Sequence, residues 1–179
     1  MKLVNEHDPI LNKECQLFDF ENPIMDPKEL ADSLQRVRKL GKGVGLAAPQ
    51  VGIDTKVLVI GMSDFETEGV EDFEKVFFNP KIKKYEGESV YSQEGCLSFP
   101  GLFMKVKRPT DIVLNWQDEE GNHFSETMGG ITSRILQHEV DHLEGITFLK
   151  RADKYHLDKA KKELKKYYRY KKRLTNGKL

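Results

Sequence analysis

The chain has 179 residues, 29 Lys and Arg against 29 Asp and Glu, and 38% hydrophobic residues. That composition suits one soluble domain with its own core. No apolar run approaches the roughly 20 residues of a membrane-spanning helix, which argues against a membrane protein. Residues 1–6 lack the apolar segment of a secretory signal, and their acidic character argues against a transit peptide, so the expected location is cytoplasmic. Two cysteines, Cys15 and Cys96, are too few for a disulfide scaffold and are expected to be free or metal-bound. The zero net charge hides an asymmetry. Residues 154–179 carry 11 Lys and Arg against Asp158 and Glu163, a net +9, which leaves −9 on the rest.

In chain order, residues 8–25 mix prolines with scattered apolar residues and suggest an extended, packed arm. The first helix is signalled by Asp26 as N-cap, Pro27 at the first helical position and Glu29 three residues after the cap. Leu30, Leu34, Val37 and Leu40 repeat at helical spacing, and Gly41 and Gly43 end the pattern. The small-residue run Gly43-Val44-Gly45-Leu46-Ala47-Ala48-Pro49-Gln50 allows close approach of a ligand or another backbone; a tight connection before a buried strand is the plainer reading. A phosphate loop is disfavoured because no Gly-Lys-Ser/Thr follows.

Residues 56–60 predict a buried strand, and 62–75 an acidic, exposed loop. Further strands are expected at 76–78 with Ile82, 88–91, 105–107, 112–116 and 123–128, with 118–122 as a hairpin turn. A second helix starts near Gly130, with Ile131, Ile135, His138 and His142 on one stripe. A third is expected over about 153–173, with Leu157, Ala160 and Leu164 facing inward. Strands precede the long helices without steady alternation. The expected class is therefore a single-domain α+β fold with antiparallel or mixed sheets around the histidine helix, not a doubly wound one.

The chemistry centres on Gln137-His138-Glu139-Val140-Asp141-His142. Two imidazoles four residues apart share a helix face and can chelate one ion, and a glutamate beside the first is the pattern of a metal-dependent hydrolase. A typical catalytic site of this type has three protein ligands. From residue type alone, His123, His156, Glu144 or Cys96 could supply the third. Cys96 lies in Glu94-Gly95-Cys96-Leu97-Ser98, where a thiolate would favour zinc or iron, although a lone cysteine is more often a small buried hydrophobe.

The three stretches, 43–50, 94–98 and 137–142, resemble those of peptide deformylases in order and spacing, over about residues 4–170. That family removes the formyl group from the N-terminal methionine of new proteins. The resemblance implies Cys96, His138 and His142 as metal ligands for one divalent ion, typically Fe²⁺, with Zn²⁺, Ni²⁺ or Co²⁺ able to replace it. It implies Glu139 as general base and the side-chain amide of Gln50 with the backbone N–H of Leu97 as oxyanion donors. Val44, Gly45, Glu94, Gly95, Ile131 and Ile135 would bind substrate, whose backbone would lie antiparallel to 43–46. Arg134 departs from the aliphatic residue usual at its position, and its stem is expected to line the rim of the methionine pocket. An ion pair between Glu94 and Arg108 is also implied.

The resemblance further implies N-formylmethionyl nascent peptides as substrate and a monomeric enzyme. The basic tail, with Tyr155, Tyr167, Tyr168 and Tyr170 interleaved, is either a solvated face or, as the resemblance to bacterial deformylases implies, a ribosome-docking helix, for which its charge suits attraction to RNA backbone. Two other functions compete: a zinc peptidase, disfavoured by Cys96 and the Gln50 loop, and a metal-stabilised RNA-binding protein, disfavoured by Glu139 and Gln50.

Overall fold

Helix α1 (Pro27–Leu40) begins at the predicted cap, where Asp26 accepts a hydrogen bond from the Glu29 N–H at 3.0 Å. In this computed structural model, which describes residues 1–62 and 73–175 with side chains through 172, Leu30, Leu34 and Val37 are buried as expected. Leu40 is exposed instead. At 3.6 residues per turn it lies about 80° round the helix from Leu30, off the inward stripe.

One antiparallel sheet of five strands follows, in the order β1 (Gly45–Ala47), β2 (Val57–Gly61), β3 (Glu74–Cys96), β4 (Phe99–Gln117) and β5 (His123–Gly129). The separate strands expected at 76–78 and 88–91 are one long strand, and those at 105–107 and 112–116 are another. Register shifts at Phe78/Lys81, Ile82/Lys84 and Glu86/Ser89 break the side-chain alternation while the strands stay paired. The acidic stretch expected at 62–75 falls largely outside the described residues, and its last two positions open β3.

Alternation in the short strands packs both faces. Leu46, Val57 and Val59 meet α1, whereas Ala47, Leu58 and Ile60 join the cluster on the opposite face with Ile135, Leu136 and Val140 of α2 (Gly130–Leu143). A sheet covered on both faces explains why residues 57–60 are continuously apolar. In α2 every residue from Ser133 to Leu143 is buried, polar ones included. Ile131 departs from the predicted stripe: it sits in the first turn and is 59% exposed.

A short helix, α3 (Phe148–Arg151), was not foreseen in the sequence; the basic helix α4 (Lys154–Thr175) was. Leu157, Ala160 and Leu164 of α4 pack into a third cluster with Leu102, Met104 and Val106 of β4. The N-terminal arm is packed only in part and is not extended throughout: Pro9–Asn12 form a 3-10 helix, and Leu17 and Ile24 are exposed. Leu11, Cys15 and Phe18 are buried, and the Cys15 N–H donates to the Leu143 carbonyl at 2.9 Å.

One buried charge ties the segment after α1 in place. Arg38, fully buried, donates to the carbonyls of Gly43 at 2.8 Å and Gly61 at 3.0 Å, to Gln35 Oε1 at 2.6 Å and to the Glu74 carboxylate at 2.7 Å. Both backbone carbonyls would otherwise be left with a poorly satisfied acceptor.

Candidate active site

Residues distant in sequence converge where the β3–β4 turn meets α2. Cys96 ends β3 and pairs with Phe99 across the turn. Helical spacing turns His138 and His142 toward it. Cys96 Sγ lies 3.2 Å from His142 Nε2, and one donor atom from each of the three residues falls within 4.8 Å of the others. His138 Nδ1 lies 3.0 Å from the Glu94 carboxylate, so Nδ1–H donates there and Nε2 is left for an ion. His142 Nδ1 and Glu139 Oε2 are buried with no hydrogen-bond partner among the described residues. A thiolate and two imidazole nitrogens suit one divalent ion such as zinc or iron. The partly exposed sulfur leaves an approach from one side, so the residues present fit such a group.

Alternation along β3 sets Glu94 and Cys96 toward α2, and Gly95 against the ring of Phe103. Behind the histidines Glu94 is the centre of a buried network. Arg108 grips it with two hydrogen bonds, at 2.8 and 3.1 Å, and also donates to Asp141 at 2.8 Å, while Arg151 binds the other side of Asp141. Arg134 donates to Glu94 at 2.6 Å and to the carbonyls of Val106 and Val90 at 3.1 and 2.8 Å. Its expected position at a pocket rim is therefore corrected: a buried guanidinium with three acceptors does not extend to solvent.

The electrostatics follow from this packing. Burial alone would raise the Glu94 pKa, but hydrogen bonds from His138 and Arg108 outweigh it and hold the carboxyl at about 2. Burial opposes a charge on His138, yet its contacts with Cys96 and Glu94 push its pKa up to about 10. Burial, then the neighbouring His138 charge, moves His142 well below the usual imidazole range. Glu139 is raised to about 7, chiefly by burial, against the pull of His138 and Arg108. A cation among these groups would favour the neutral imidazoles that ligate it.

Val44, Gly45, Gly95, Leu97 and Glu139 line a groove of about 420 Å³, together with Cys96 and His138. Gln50 is buried beside it. Its Oε1 accepts from the Ala47 N–H at 2.8 Å, which fixes the amide so that Nε2 points to Ser98 Oγ at 3.2 Å and Cys96 Sγ at 3.5 Å. Gly45 has a specific reason to be glycine: a Cβ there would collide with the Glu139 carboxylate.

Three residues expected to contact substrate do not line this groove. Glu94 is behind His138, Ile135 is in the core cluster, and Ile131 is exposed at the start of α2. Of the alternative third ligands, His123 is on β5, His156 pairs with Asp153 on α4, and Glu144 caps the end of α2; among the described residues the group able to hold an ion is Cys96, His138 and His142. Sequence reasoning missed Arg38, Ser98, Asp141 and Arg151. A charged Asp141 between two histidines on a buried helix was the available signal, since a buried carboxylate needs a cationic partner.

The sequence matches the family model described as polypeptide deformylase over residues 1–158. It is 41% identical over 167 residues to peptide deformylase 1B, chloroplastic/mitochondrial, of Arabidopsis thaliana, covering 92% of this chain and 58% of that protein's length. It is 36% identical over 159 residues to a peptide deformylase of Cytophaga hutchinsonii, covering 89% of this chain and 83% of the relative. Among solved structures, a variant of Arabidopsis thaliana peptide deformylase 1B superposes with a TM-score of 0.82 at 36% identity, covering 99% of this chain and 93% of that one. A peptide deformylase from Plasmodium falciparum superposes with a TM-score of 0.81 at 31% identity, covering 95% of this chain and 96% of that one. The sequence motifs, the sheet with its buried histidine helix and these likenesses lead to one conclusion: the chain belongs to the polypeptide deformylase family.

Proposed function

We propose that this chain hydrolyses the N-formyl group of N-formylmethionyl peptides, releasing formate. One observation carries the reading: Cys96, His138 and His142 converge beside a buried carboxylate, Glu139, and an oriented amide, Gln50, at one groove. A divalent ion bound by those three residues, Fe²⁺ by preference and Zn²⁺, Ni²⁺ or Co²⁺ as substitutes, supplies Lewis-acid activation of the formyl carbonyl and of water.

The chain's own groups do the rest. Glu139 takes the proton of the attacking water and returns it to the departing α-amine. Gln50 Nε2 and the Leu97 N–H donate to the oxygen that gains negative charge. The peptide runs antiparallel to residues 43–46 as an added strand, with its methionine against Val44 and Leu97. Gly45 and Ala47 leave room for a formyl group to approach Gln50, while larger acyl groups are excluded.

The lysines on the outer face of α4 are proposed to attract ribosomal RNA, placing a monomeric enzyme in the cytoplasm or in an organelle of similar translation chemistry. Salt-sensitive cosedimentation with ribosomes, lost when α4 is removed, tests this. The test of the main reading is formate release from formyl-Met-Ala with Fe²⁺ under anaerobic conditions. Cleavage of an unformylated peptide without formate release would favour the zinc peptidase instead.

A further inference from the structure

On the far side of the β4 segment that borders the catalytic groove lies a second cleft of about 440 Å³, between that segment and α4. Its size falls in the range of ligand-binding clefts, about 300–1,000 Å³. Gly101 and Phe103 line both spaces. Phe103 forms the ridge between them: its ring rests on Gly95 beside the metal ligand Cys96, yet Phe103 is 55% exposed. Gly101 is the low point beside the ridge. Its φ of +77° suits glycine, and a Cβ there would come within 3.2 Å of Leu164 on α4. Gly101 itself adds no side chain between the two spaces, and Leu164 of α4 packs directly against it.

The second cleft is lined from α4 by Ala160, Glu163, Leu164 and Tyr167. Leu164 and Ala160 form an apolar floor that belongs to the third core cluster. Tyr167, 53% exposed, continues the same helical stripe along the cleft. Exposed aromatic residues on both walls of a cleft contiguous with a peptide groove suit an apolar or aromatic side chain of the same peptide.

We propose that the α4 cleft is a second substrate subsite, which holds an apolar or aromatic side chain of the nascent peptide downstream of its formylmethionine. The inference rests on the deformylase reading. The peptide leaves the groove past Gly101, and the downstream side chain packs between Phe103 and Tyr167 over Leu164. The contact is made equally before and during the reaction, so it lowers KM and leaves kcat unchanged.

The test compares formyl-Met-Ala with formyl-Met-Ala-Gly peptides carrying one Phe moved through positions 4 to 7. At one position Phe should raise kcat/KM about five- to tenfold over Gly, the scale of one aromatic contact, through KM. Tyr167→Ala should abolish that rise and leave formyl-Met-Ala turnover unchanged. Equal kcat/KM at all four positions, or a rise that survives Tyr167→Ala, overturns the subsite while deformylation of formyl-Met-Ala keeps the main reading intact. No formate from formyl-Met-Ala overturns both.

Discussion

Gly45 and Glu139 are in such close contact that one added carbon on the glycine would displace the carboxylate. The two lie on different elements, β1 and α2, and their fit fixes where Glu139 can stand. Gly45→Ala should therefore act on chemistry more than on folding. The expected result is a loss of about a hundredfold in kcat, the scale on which a misplacement of about 1 Å is felt, with metal content and melting temperature close to those of the unaltered chain. A melting temperature lowered in proportion to activity would show that Gly45 serves packing instead.

Glu139→Gln keeps the shape of the side chain and removes its proton acceptor. Metal content should stay at one ion per chain while turnover falls about a hundred- to ten-thousandfold, the usual contribution of a general base. Activity of the metal-replete variant within threefold of the parent would assign the proton transfer to another group.

The Glu94 network predicts a different phenotype. Glu94 is buried among Arg108, Arg134 and His138, so Glu94→Ala strands two guanidinium groups at a cost of about 3–5 kcal/mol. It also frees the Nδ1 of His138, which should weaken metal binding about ten- to hundredfold. Arg108→Ala should lower stability comparably through Glu94 and Asp141 but affect metal affinity less, because Glu94 still orients His138. Unfolding midpoints and metal titration separate the two effects; unchanged stability in Arg108→Ala would mean that the network is redundant.

Cys15 gives a pH test remote from the groove. Burial, then the nearby Asp54 carboxylate, pushes its thiol up to about 11 from an ordinary 9.0. The folded state thus holds this proton more tightly than the unfolded state. The corresponding stability is complete below pH 9 and is lost as pH rises from 9 to 11. Between pH 8 and pH 10.5 the parent should lose roughly 1–2 kcal/mol more than Cys15→Ala, read from urea midpoints at both pH values. Parallel declines would show that the thiol titrates normally.

Much of this molecule was legible from local rules. Asp26, Pro27 and Glu29 marked the start of α1 because capping is a contact over three residues, and the two histidines were placed together by helical spacing alone. The length of β3 and β4 was not legible, since register shifts along the pair break the alternation that marks a strand. Arg134 was misplaced because its partners, Glu94 and the carbonyls of Val90 and Val106, lie 40, 44 and 28 residues away. Arg38 went unread for the same reason: nothing local distinguishes a guanidinium that reaches Gly43 and Gly61 from one in solvent. Resemblance supplied the roles of Cys96 and Gln50, but the reason for Gly45 is a contact between residues 94 positions apart.

The end of β3 carries Cys96, whereas α2, which follows β5, carries the histidines. A chain emerging from synthesis therefore exposes the thiol well before its imidazole partners, and no partial structure lacking α2 can hold the ion in this way. An ion held by all three would tie the hairpin tip to the central helix and favour the completed fold by mass action. Acquisition of the metal would then follow the docking of α2 against the tip of the β3–β4 hairpin, and holoprotein content would report how many chains have completed that step.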